Sequence, residues 1–403
     1  MSRQPSGCMN ELSFITLPIN WGQMFFQELL TSANPLTWTI LGIMLVSFFA
    51  QMIIYLSIFT RVPSYKSPDK RRKKTGVSVI ICARNEAENL EKNLPKFLSQ
   101  DYPDYEVIVV NDCSTDHTEE VLMDLKALHP HFRYTTIQKD NKFTHGKKLA
   151  ITVGIKAAKN DYLLFSDADC YPESNNWITK LSRHFSKEKE IILGVGKYER
   201  KKGLLNILVR YETLFTAMLY LSFALKGKAY MGVGRNMAYK KEVFYRHKGF
   251  ASHLKLLSGD DDLFVNEATN RSNTTVEIDP DSFTISEAPQ NFSEWFKQKK
   301  RHLSTGKYYK RSSKLRLGFE FSSRMLYYIT LIWMLFRDQW MWIALGTWIL
   351  LSIVRLVLVK LNMNRLKERD LLLPSLLLDP LLPLILVTIQ ISNFIRPREA
   401  KWN

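Results

Sequence analysis

The first long apolar stretch lies near the beginning of the sequence. Residues 37–59, TWTILGIMLVSFFAQMIIYLSIF, contain no charged side chain. A helix of this length can cross a hydrocarbon core of about 30 Å. A cleaved signal peptide begins closer to the first methionine and has a shorter apolar core. We therefore predict a short N-terminal segment, residues 1–36, followed by a retained transmembrane anchor over residues 37–60.

The end of the sequence contains further apolar runs. Residues 339–359 are long enough to span a bilayer, and residues 325–336 form a shorter run just before them. Residues 371–395 are interrupted by three prolines and one aspartate. This last segment either crosses the membrane as a broken helix or enters it and returns on the same side. These runs predict a membrane region over residues 322–395.

Residues 76–310 show a different pattern, in which short strand-like runs alternate with amphipathic segments. The runs VSVIICA, YEVIVVND and DYLLFS begin at residues 77, 105 and 161 and are separated by helix-like sequence. This βαβαβ order predicts an α/β domain built on a parallel sheet with right-handed crossovers. In such a sheet a ligand binds beyond the carboxyl ends of the strands.

Polar residues follow all three of these strands: Arg84-Asn85-Glu86, Asn111-Asp112 and Asp167-Ala168-Asp169. No glycine-rich loop typical of a dinucleotide site or a P-loop follows the first strand. The hard carboxylate ligands of Asp167 and Asp169 suit Mg²⁺ or Mn²⁺ bridged to a diphosphate. An Asp-capped strand end is the structural alternative. Asp279-Pro280-Asp281 has the same spacing but follows a strand outside the βαβ series, so it is the weaker metal candidate.

Two further segments add charged candidates. Asp260, Asp261 and Asp262 stand together before a predicted helix. Crowded like charges cost energy, which indicates a compensating cation or a functional demand. N-capping by Asp260 would explain one of these acids but not three. Residues 293–311, SEWFKQKKRHLSTGKYYKR, are basic and rich in aromatic residues.

Two segments of the central domain are predicted to be helices at the membrane surface. Residues 291–312 combine the basic and aromatic residues typical of such a helix. Residues 203–226 are apolar enough to be mistaken for a span, but their charged residues argue for a helix at the interface or packed on the catalytic domain. We favour the interface, which would open the site toward lipid.

Charge sets the expected orientation. The first span is followed by Arg61, Lys66 and the run DKRRKK, which predicts a cytoplasmic catalytic domain in a multi-pass protein of the inner or plasma membrane. The basic C-terminal end favours a re-entrant last segment. The net charge of +17 fits anionic lipid better than nucleic acid, because no nucleic-acid-binding motif accompanies it. The cysteines lack metal-site spacing, and those of the central domain are predicted to be free thiols.

Together these motifs resemble glycosyltransferase family 2, in particular its membrane-bound branch of cellulose and hyaluronan synthases. The resemblance covers about residues 76–310 and follows one order: VSVIICARNEAENL, EVIVVNDCSTD, HGKKLAI, the DxD motif of FSDADC, GVGRNMAY, GDDDLF and Gln298-Lys-Lys-Arg301-His302. It implies a GT-A nucleotide-diphospho-sugar transferase domain carrying N- and C-terminal transmembrane helices. It also implies a nucleotide sugar, commonly UDP-linked, as the donor.

The resemblance assigns a donor-binding set: Glu86, Asp112, Lys147 (or its neighbour Lys148), Asp167 and Asp169. The first two residues would contact the uridine, and the lysine would support the nucleotide end. The last two aspartates would bind the divalent ion, Mg²⁺ or Mn²⁺, and the diphosphate.

The resemblance also assigns the catalytic set. Asp261 would be the catalytic base, with Asp260 beside it in the same acidic element. Gln298 and Arg301 match the family's Gln-x-x-Arg-Trp element, and Arg301 would stabilise the leaving diphosphate. His302 replaces the tryptophan of that element. The replacement weakens the expectation that an acceptor sugar stacks at this position, and it therefore also weakens the expectation of a processive synthase.

These features predict a membrane-anchored, metal-dependent, inverting glycosyltransferase. It would move one hexose or N-acetylhexosamine to a lipid-linked or glycan acceptor in cell-envelope polysaccharide synthesis, with membrane lipids as further partners. A processive polysaccharide synthase stays open, although about four short spans are few for an export channel. A transporter would need more intramembrane ionisable residues than Arg355 and Asp379. A nucleotide-sugar sensor would bind without turnover, yet every expected acid is present.

Overall fold

The computed structural model describes residues 34–68, 75–139, 146–256 and 258–395. The predictions made for the N-terminal segment up to residue 33, the basic run at 69–74 and the C-terminal residues from 396 onward lie outside these described residues. The orientation inferred from those charges therefore stays a prediction.

Ten strands lie in the described part of the chain: β1 (Val77–Ala83), β2 (Tyr105–Asp112), β3 (Phe132–Ile137), β4 (Tyr162–Asp167), β5 (Cys170–Pro172), β6 (Ile191–Leu193), β7 (Gly196–Tyr198), β8 (Met237–Lys240), β9 (Thr274–Val276) and β10 (Thr284–Ser286). Seven of them form one sheet in the order β3-β2-β1-β4-β8-β6-β9. Strands β3, β2, β1 and β4 are parallel, and β8 pairs antiparallel with both β4 and β6. A second sheet has the order β5-β10-β7.

The described helices are α1 (Pro35–Ile54), α2 (Arg61–Ser64), α3 (Ala87–Leu98), α4 (Thr118–Leu128), α5 (Lys147–Ala157), α6 (Trp177–Ser182), α7 (Leu204–Leu225), α8 (Lys241–Arg246), α9 (Asp262–Ala268), α10 (Phe292–Leu303), α11 (Arg311–Leu335), α12 (Met341–Arg365) and α13 (Leu372–Ile395). A π-helical turn, Tyr55–Phe59, continues α1 toward α2. Single 3₁₀ turns lie at Ala251–His253, Pro280–Ser282 and Gly306–Tyr308.

The predicted α/β fold with a parallel sheet is confirmed. Every residue of β1 is buried, as the continuous apolar run VSVIICA indicates for a strand covered on both faces. The register pairs Cys82 of β1 with Asp167 of β4, and Ala83 with Asn111 of β2. The polar residues that follow these strands therefore meet at one edge of the sheet, as predicted.

A glycine lets α5 lie directly against the sheet. A Cβ atom at Gly154 would lie 2.6 Å from Cγ2 of Ile80 on β1 and 3.2 Å from Cγ2 of Val110 on β2. Only a residue without a side chain allows so close an approach. This packing fixes the N-terminus of α5, and with it Lys147, at the carboxyl edge of the sheet.

Four helices are long and apolar enough to cross a membrane by length and composition: Pro35–Ser64, Leu204–Leu225, Met341–Arg365 and Leu372–Ile395. The short apolar run predicted at 325–336 falls in the second half of α11. Helix α13 is continuous, with Pro380 and Pro383 inside it. Of the most apolar part of helix α7, 67% is buried, so this helix packs extensively on the rest of the protein. Its predicted location at the membrane interface stays a prediction.

The apolar helices and the catalytic sheet share one core. A single cluster of buried side chains runs from Met44 of α1 through Phe215 of α7 to Ile80 and Phe165 on the sheet. The helices that are candidates for the membrane therefore pack against the domain that carries the site. Any displacement of these helices would be transmitted to the sheet by direct contact.

A buried ionic network ties four of these helices together around Asp379 of α13. Its carboxylate accepts hydrogen bonds from Tyr55, Tyr211, Tyr328 and Arg355 and lies 3.7 Å from Arg324. The Arg355 guanidinium is 2.7 Å away, and both charged side chains are almost fully buried. Removing one partner of such a pair leaves a buried charge without compensation.

We expect Asp379→Asn to lower the free energy of unfolding by about 3–5 kcal/mol, because the Arg355 guanidinium loses its buried counter-charge and Arg324 keeps only its ion pair with Glu320. Thermal unfolding of the detergent-solubilised protein, followed by tryptophan fluorescence, measures this. Asp370→Asn is the matched control, since Asp370 pairs with Arg200 while both side chains are more than half exposed. The control should cost about 1 kcal/mol or less, and equal losses in the two variants would contradict a supporting role for the network.

Candidate active site

A cavity of about 630 Å³ lies at the carboxyl edge of the main sheet. All predicted site residues except Asp112 line it: Glu86, Lys147, Asp167, Asp169, Asp260, Asp261, Gln298 and Arg301. Asp112 ends β2 at the same edge, but its side chain is fully buried. The structure thus gathers residues from distant parts of the sequence into one concave surface, while their individual roles stay predictions.

Asp167 and Asp169 stand at the end of β4. Their carboxylates and the Cys170 thiol each offer one ligand atom, and these atoms lie within 4.8 Å of one another. Cys170 is buried and donates a hydrogen bond to Oδ1 of Asp169 at 3.2 Å, so it serves as a thiol donor. Asp169 is exposed within the cavity. Partial desolvation by the cavity walls, followed by the Asp167 charge, raises the pKa of its carboxyl.

Lys147 joins the DxD pair to the second acidic element. Its ammonium nitrogen lies 2.6 Å from Oδ1 of Asp167 and 3.2 Å from Oδ2 of Asp260. Burial opposes the charged form of this lysine, but the carboxylates of Asp167, Asp260 and Asp261 outweigh burial and hold its pKa above the ordinary value. A lysine at the first residue of a helix is unfavourable toward the helix dipole, and the neighbouring acids offset that cost.

The neighbouring Lys148 has a different task. Its buried side chain donates to the carbonyl oxygens of His253 at 2.6 Å and Leu256 at 2.7 Å. These bonds hold the loop that leads to the acidic element. Gly259 then turns the chain with φ +99°, a conformation that favours glycine. Of the two lysines left open by the resemblance, Lys147 is the one that lines the cavity.

Asp261 is held in place by two backbone amides. Its Oδ2 accepts from the amide of Gly234 at 2.7 Å, and its Oδ1 accepts from the amide of Asp262 at 2.7 Å. Asp261, and not Asp260, is therefore the N-cap of α9, because Asp260 is turned toward Lys147. Burial, followed by the charges of Asp260 and Asp262, raises the pKa of Asp261 to about 7.

The third acid of the element, Asp262, supports the segment that follows α10. Its buried carboxylate accepts hydrogen bonds from the hydroxyl groups of Thr305 and, at 2.8 Å, of Tyr309. The three adjacent aspartates thus face three different partners. This separation explains why the crowding predicted from the sequence is tolerated.

Helix α10 presents Gln298 and Arg301 to the cavity. The Gln298 amide nitrogen donates to the Tyr198 hydroxyl at 3.1 Å. His302, which stands where the family has tryptophan, also lines the cavity. His302 is exposed within the cavity. Partial desolvation there, followed by the charges of Lys299 and Arg301, lowers the pKa of its ring well below the usual value.

Sequence reasoning did not assign a site role to several other lining residues, among them Tyr198, Glu212, Arg235 and Lys299. Arg235 stacks over the Tyr198 ring at 4.4 Å and donates to the Gly196 carbonyl. Its place inside the motif GVGRNMAY was a usable signal. Glu212 lies in the apolar segment 203–226, and the sequence uses the charges of this segment only to argue against a transmembrane helix.

The remaining acids differ in setting. Glu86 lines the cavity and accepts a hydrogen bond from Asn89 at 2.6 Å; burial raises its pKa to about 7. Asp279 and Asp281, which share the spacing of the DxD pair, instead form ion pairs with Lys180 at 2.7 and 3.7 Å and lie outside the cavity lining. Among the described cysteines, Cys82 and Cys170 are free thiols, as predicted.

Comparison with known proteins agrees with this arrangement. Residues 78–247 match the family model described as glycosyl transferase family 2. The chain carries a family 2 glycosyltransferase domain. The match includes the DxD pair and Lys147 but ends before the acidic element and α10.

Two curated relatives are similar over part of their length. One is a poly-beta-1,6-N-acetyl-D-glucosamine synthase of Staphylococcus epidermidis, 36% identical over 94 residues that make up 23% of this chain and 22% of the relative. Another is a dolichyl N-acetyl-alpha-D-glucosaminyl phosphate 3-beta-D-2,3-diacetamido-2,3-dideoxy-beta-D-glucuronosyltransferase of Methanococcus voltae, 30% identical over 174 residues that make up 42% of this chain and 49% of the relative. The chain thus spans no more than about half of either relative.

One solved structure shares the fold over nearly the whole chain. It is the mannosyltransferase PcManGT of Pyrobaculum calidifontis in complex with GDP-Man and Mn²⁺, with a TM-score of 0.57, 16% identity, and coverage of 89% of this chain and 99% of that one. At this identity the likeness shows the fold. The GT-A fold with apolar helices at both ends is thereby confirmed.

We expect Lys147→Met to lower the melting temperature in the presence of a chelator, because Asp167 and Asp260 would then face each other without the cation between them. Lys92→Met is the control: Lys92 pairs with Glu287 at the same 2.6 Å, but both side chains are about half exposed. Thermal unfolding should show that the free energy of unfolding falls by about 2 kcal/mol or more for the first variant and by clearly less for the solvent-exposed control pair. Equal losses would contradict the bridging role of Lys147.

Proposed function

We propose that this chain is a metal-dependent, inverting glycosyltransferase that moves one sugar from a nucleotide sugar, commonly UDP-linked, to a lipid-linked or glycan acceptor at the cytoplasmic face of the membrane. The observation that carries the proposal is the convergence of the DxD pair and the acidic element on Lys147. A carboxylate pair suited to a cation then lies beside a carboxylate suited to take a proton. These are the two groups that direct sugar transfer requires.

The residues at the end of β4 fit a divalent ion. Asp167 and Asp169 provide oxygen ligands, which Mg²⁺ and Mn²⁺ prefer. The Lys147 ammonium at 2.6 Å from Asp167 shows that this carboxylate already faces positive charge. A bound ion would act as a Lewis acid on the diphosphate of the donor.

We infer that Asp261 acts as the general base. Each of its oxygens accepts one backbone hydrogen bond, which orients the carboxylate and leaves further lone pairs for an acceptor hydroxyl. As the hydroxyl oxygen forms a bond to the anomeric carbon, its proton passes to Asp261. The bond between that carbon and the phosphate oxygen breaks at the same time, and the electron pair leaves with the nucleoside diphosphate.

Arg301 and Gln298, which line the same cavity, are the remaining proposed catalytic residues. A guanidinium can bind phosphate oxygens with two parallel hydrogen bonds, and it stabilises the negative charge that develops on the leaving group. Attack opposite the leaving group inverts the anomeric centre, so an α-linked donor gives a β-linked product. No covalent enzyme intermediate is needed.

The residues that the apolar helices contribute to the cavity lining support a lipid-linked acceptor. Thr213 and Ala217 of α7, Leu317 of α11 and Leu386 of α13 line it together with the charged residues. These helices belong to the apolar group that packs on the domain. An acceptor with a polar hydroxyl end and an apolar body fits a cavity of this composition, which favours a lipid-linked acceptor over a free glycan.

A thermal-shift panel of nucleotide sugars, with and without Mn²⁺, tests the proposal. The panel includes UDP-N-acetylglucosamine and also GDP-mannose, because the structural neighbour was solved with the latter. Stabilisation by one donor that requires Mn²⁺ supports the proposal, and indifference to every nucleotide sugar refutes it. The curated synthase relative keeps processive synthesis as a second candidate, and a ladder of long products would favour it.

For the metal site we expect Asp167→Ala and Asp169→Ala to abolish the Mn²⁺-dependent stabilisation by the donor, because each variant removes a ligand oxygen. Asp279→Ala and Asp281→Ala form the matched control, since that pair has the same spacing and lies outside the cavity lining. The control variants should keep the Mn²⁺ response even if their melting temperature falls. A response that survives in the first pair would refute the site.

For the base we expect Asp261→Asn to lower kcat by about 10²-fold or more, because the amide cannot accept the acceptor proton. The wild-type rate should rise with pH through about 7, since the carboxyl with its raised pKa must first be ionised. The variant should lose this rise yet keep the donor-induced thermal shift. Unchanged turnover in the variant would remove the assignment of Asp261 as the base, whereas donor binding without turnover in the wild type would favour the sensor alternative.

A further inference from the structure

Helix α10, which carries Gln298 and Arg301, is held by contacts with two of the apolar helices. Trp295, one turn before Lys299, is fully buried and packs with Val209 of α7 and Ile389 of α13. The backbone of α13 also holds the helix, since Lys300 donates to the carbonyl oxygen of Ser392 at 3.0 Å. The position of α10 therefore depends on two of the apolar helices.

One charged contact stands out in this packing. The ammonium of Lys299 forms an ion pair with Glu212 of α7, and both side chains are about nine-tenths buried. Thr216, one turn further along α7, donates to the other Glu212 oxygen at 3.0 Å. Both members of the pair line the wall of the cavity.

The place of Lys299 in α10 gives this contact a consequence for the site. Lys299 follows Gln298 directly and lies two residues before Arg301. Without a counter-charge, a buried lysine must move toward water or lose its proton, because an isolated ammonium is costly in an apolar setting. Lys299 and Arg301 both line the cavity, so a Lys299 ammonium that turned into the cavity would meet the like charge of Arg301. We expect this reorientation to displace the face of α10 that presents Arg301.

We propose that Glu212 is a positioning residue, which acts through Lys299 to hold α10 at the distance where Arg301 meets the leaving group. This rests on the proposed transferase function for the role of Arg301. The geometric half of the proposal, that the Glu212 carboxylate fixes α10, stands on the contacts alone. It also gives the apolar helix α7 a part in the reaction without any contact to the reacting atoms.

The chain offers a matched control on the same helix. Arg210, two residues before Glu212, forms an ion pair with Glu368, and these side chains are just as buried. This pair ties α7 to the turn between α12 and α13, and neither of its members lines the cavity. Glu368→Gln thus removes one buried carboxylate charge from the surroundings of α7, as Glu212→Gln does, but away from α10.

The first measurement needs no ligand. Hydrogen exchange of the whole detergent-solubilised protein is compared among the wild type, Glu212→Gln and Glu368→Gln. We expect peptides of α10 to exchange at least about tenfold faster in Glu212→Gln alone, while both variants melt at similarly lowered temperatures. Unchanged exchange of α10 in Glu212→Gln would overturn the proposal, whether or not the protein transfers sugar.

The second measurement follows release of nucleoside diphosphate from UDP-N-acetylglucosamine and GDP-mannose. We expect Glu212→Gln to lower kcat at least about tenfold with a donor KM within about threefold, because the lost interaction belongs to the transition state. Glu368→Gln should stay within about twofold of the wild type. If peptides of α10 exchange faster in Glu212→Gln while the wild type releases no nucleoside diphosphate, the proposed function is wrong. The geometric half of the proposal, that Glu212 fixes α10, then still stands.

A double variant guards against a trivial loss of folding. Glu212→Gln with Lys299→Gln replaces the ion pair by two amides of similar size, so no uncompensated charge remains. We expect this variant to recover kcat to within about threefold of the wild type. If it is as slow as Glu212→Gln, the charges themselves act on substrate, and the positioning role is wrong.

Discussion

Carboxylates brought together in a partly buried cavity repel one another unless a cation lies between them. In this protein the cation is the ammonium of Lys147, which contacts Asp167 from the end of β4 and Asp260 from the loop before α9. Those two acids are far apart in the sequence, and each is delivered by a different part of the fold. The close packing of α5 on the sheet through Gly154 sets the lysine at the point where both can reach it.

The elements that deliver these groups were the ones most readable from the sequence. Strands β1, β2 and β4 are apolar on both faces, and their order with amphipathic helices leaves few topologies. Because parallel strands end at one edge of the sheet, the meeting of Glu86 with Asp167 and Asp169 followed from that order. The acidic element could be placed there only through the resemblance, since the loop before α9 is positioned by Lys148 and Gly259 and not by any periodic pattern.

The sequence pattern could not predict which side chains face the cavity, because this depends on the direction in which each side chain leaves the backbone. Lys147 and Lys148 are adjacent at a helix N-terminus, so their side chains leave the axis about 100° apart, and composition alone cannot say which faces the site. The same limit applies to the cap of α9, for which the sequence offered Asp260 only as an alternative and which Asp261 forms. Asp112 shows the converse case, because a residue can lie at the right edge of the sheet and still be buried by its neighbours. The role of Glu212 could not be predicted because two isolated charges in an apolar helix, Arg210 and Glu212, form no periodic pattern.

The apolar helices are part of the site as well as its attachment. Charged residues from the sheet edge form one wall of the cavity, while α7, α11 and α13 contribute its apolar wall and also the contacts that hold α10. An enzyme that only needed anchoring could be tethered by a flexible linker and keep its site on the soluble domain. Here the core is continuous from α1 to the sheet, so the geometry of Arg301 and the orientation of the helices cannot vary independently. The apolar body of a lipid-linked acceptor would lie among those same helices. Its hydroxyl end would then meet catalytic residues whose position relative to the helices is already fixed.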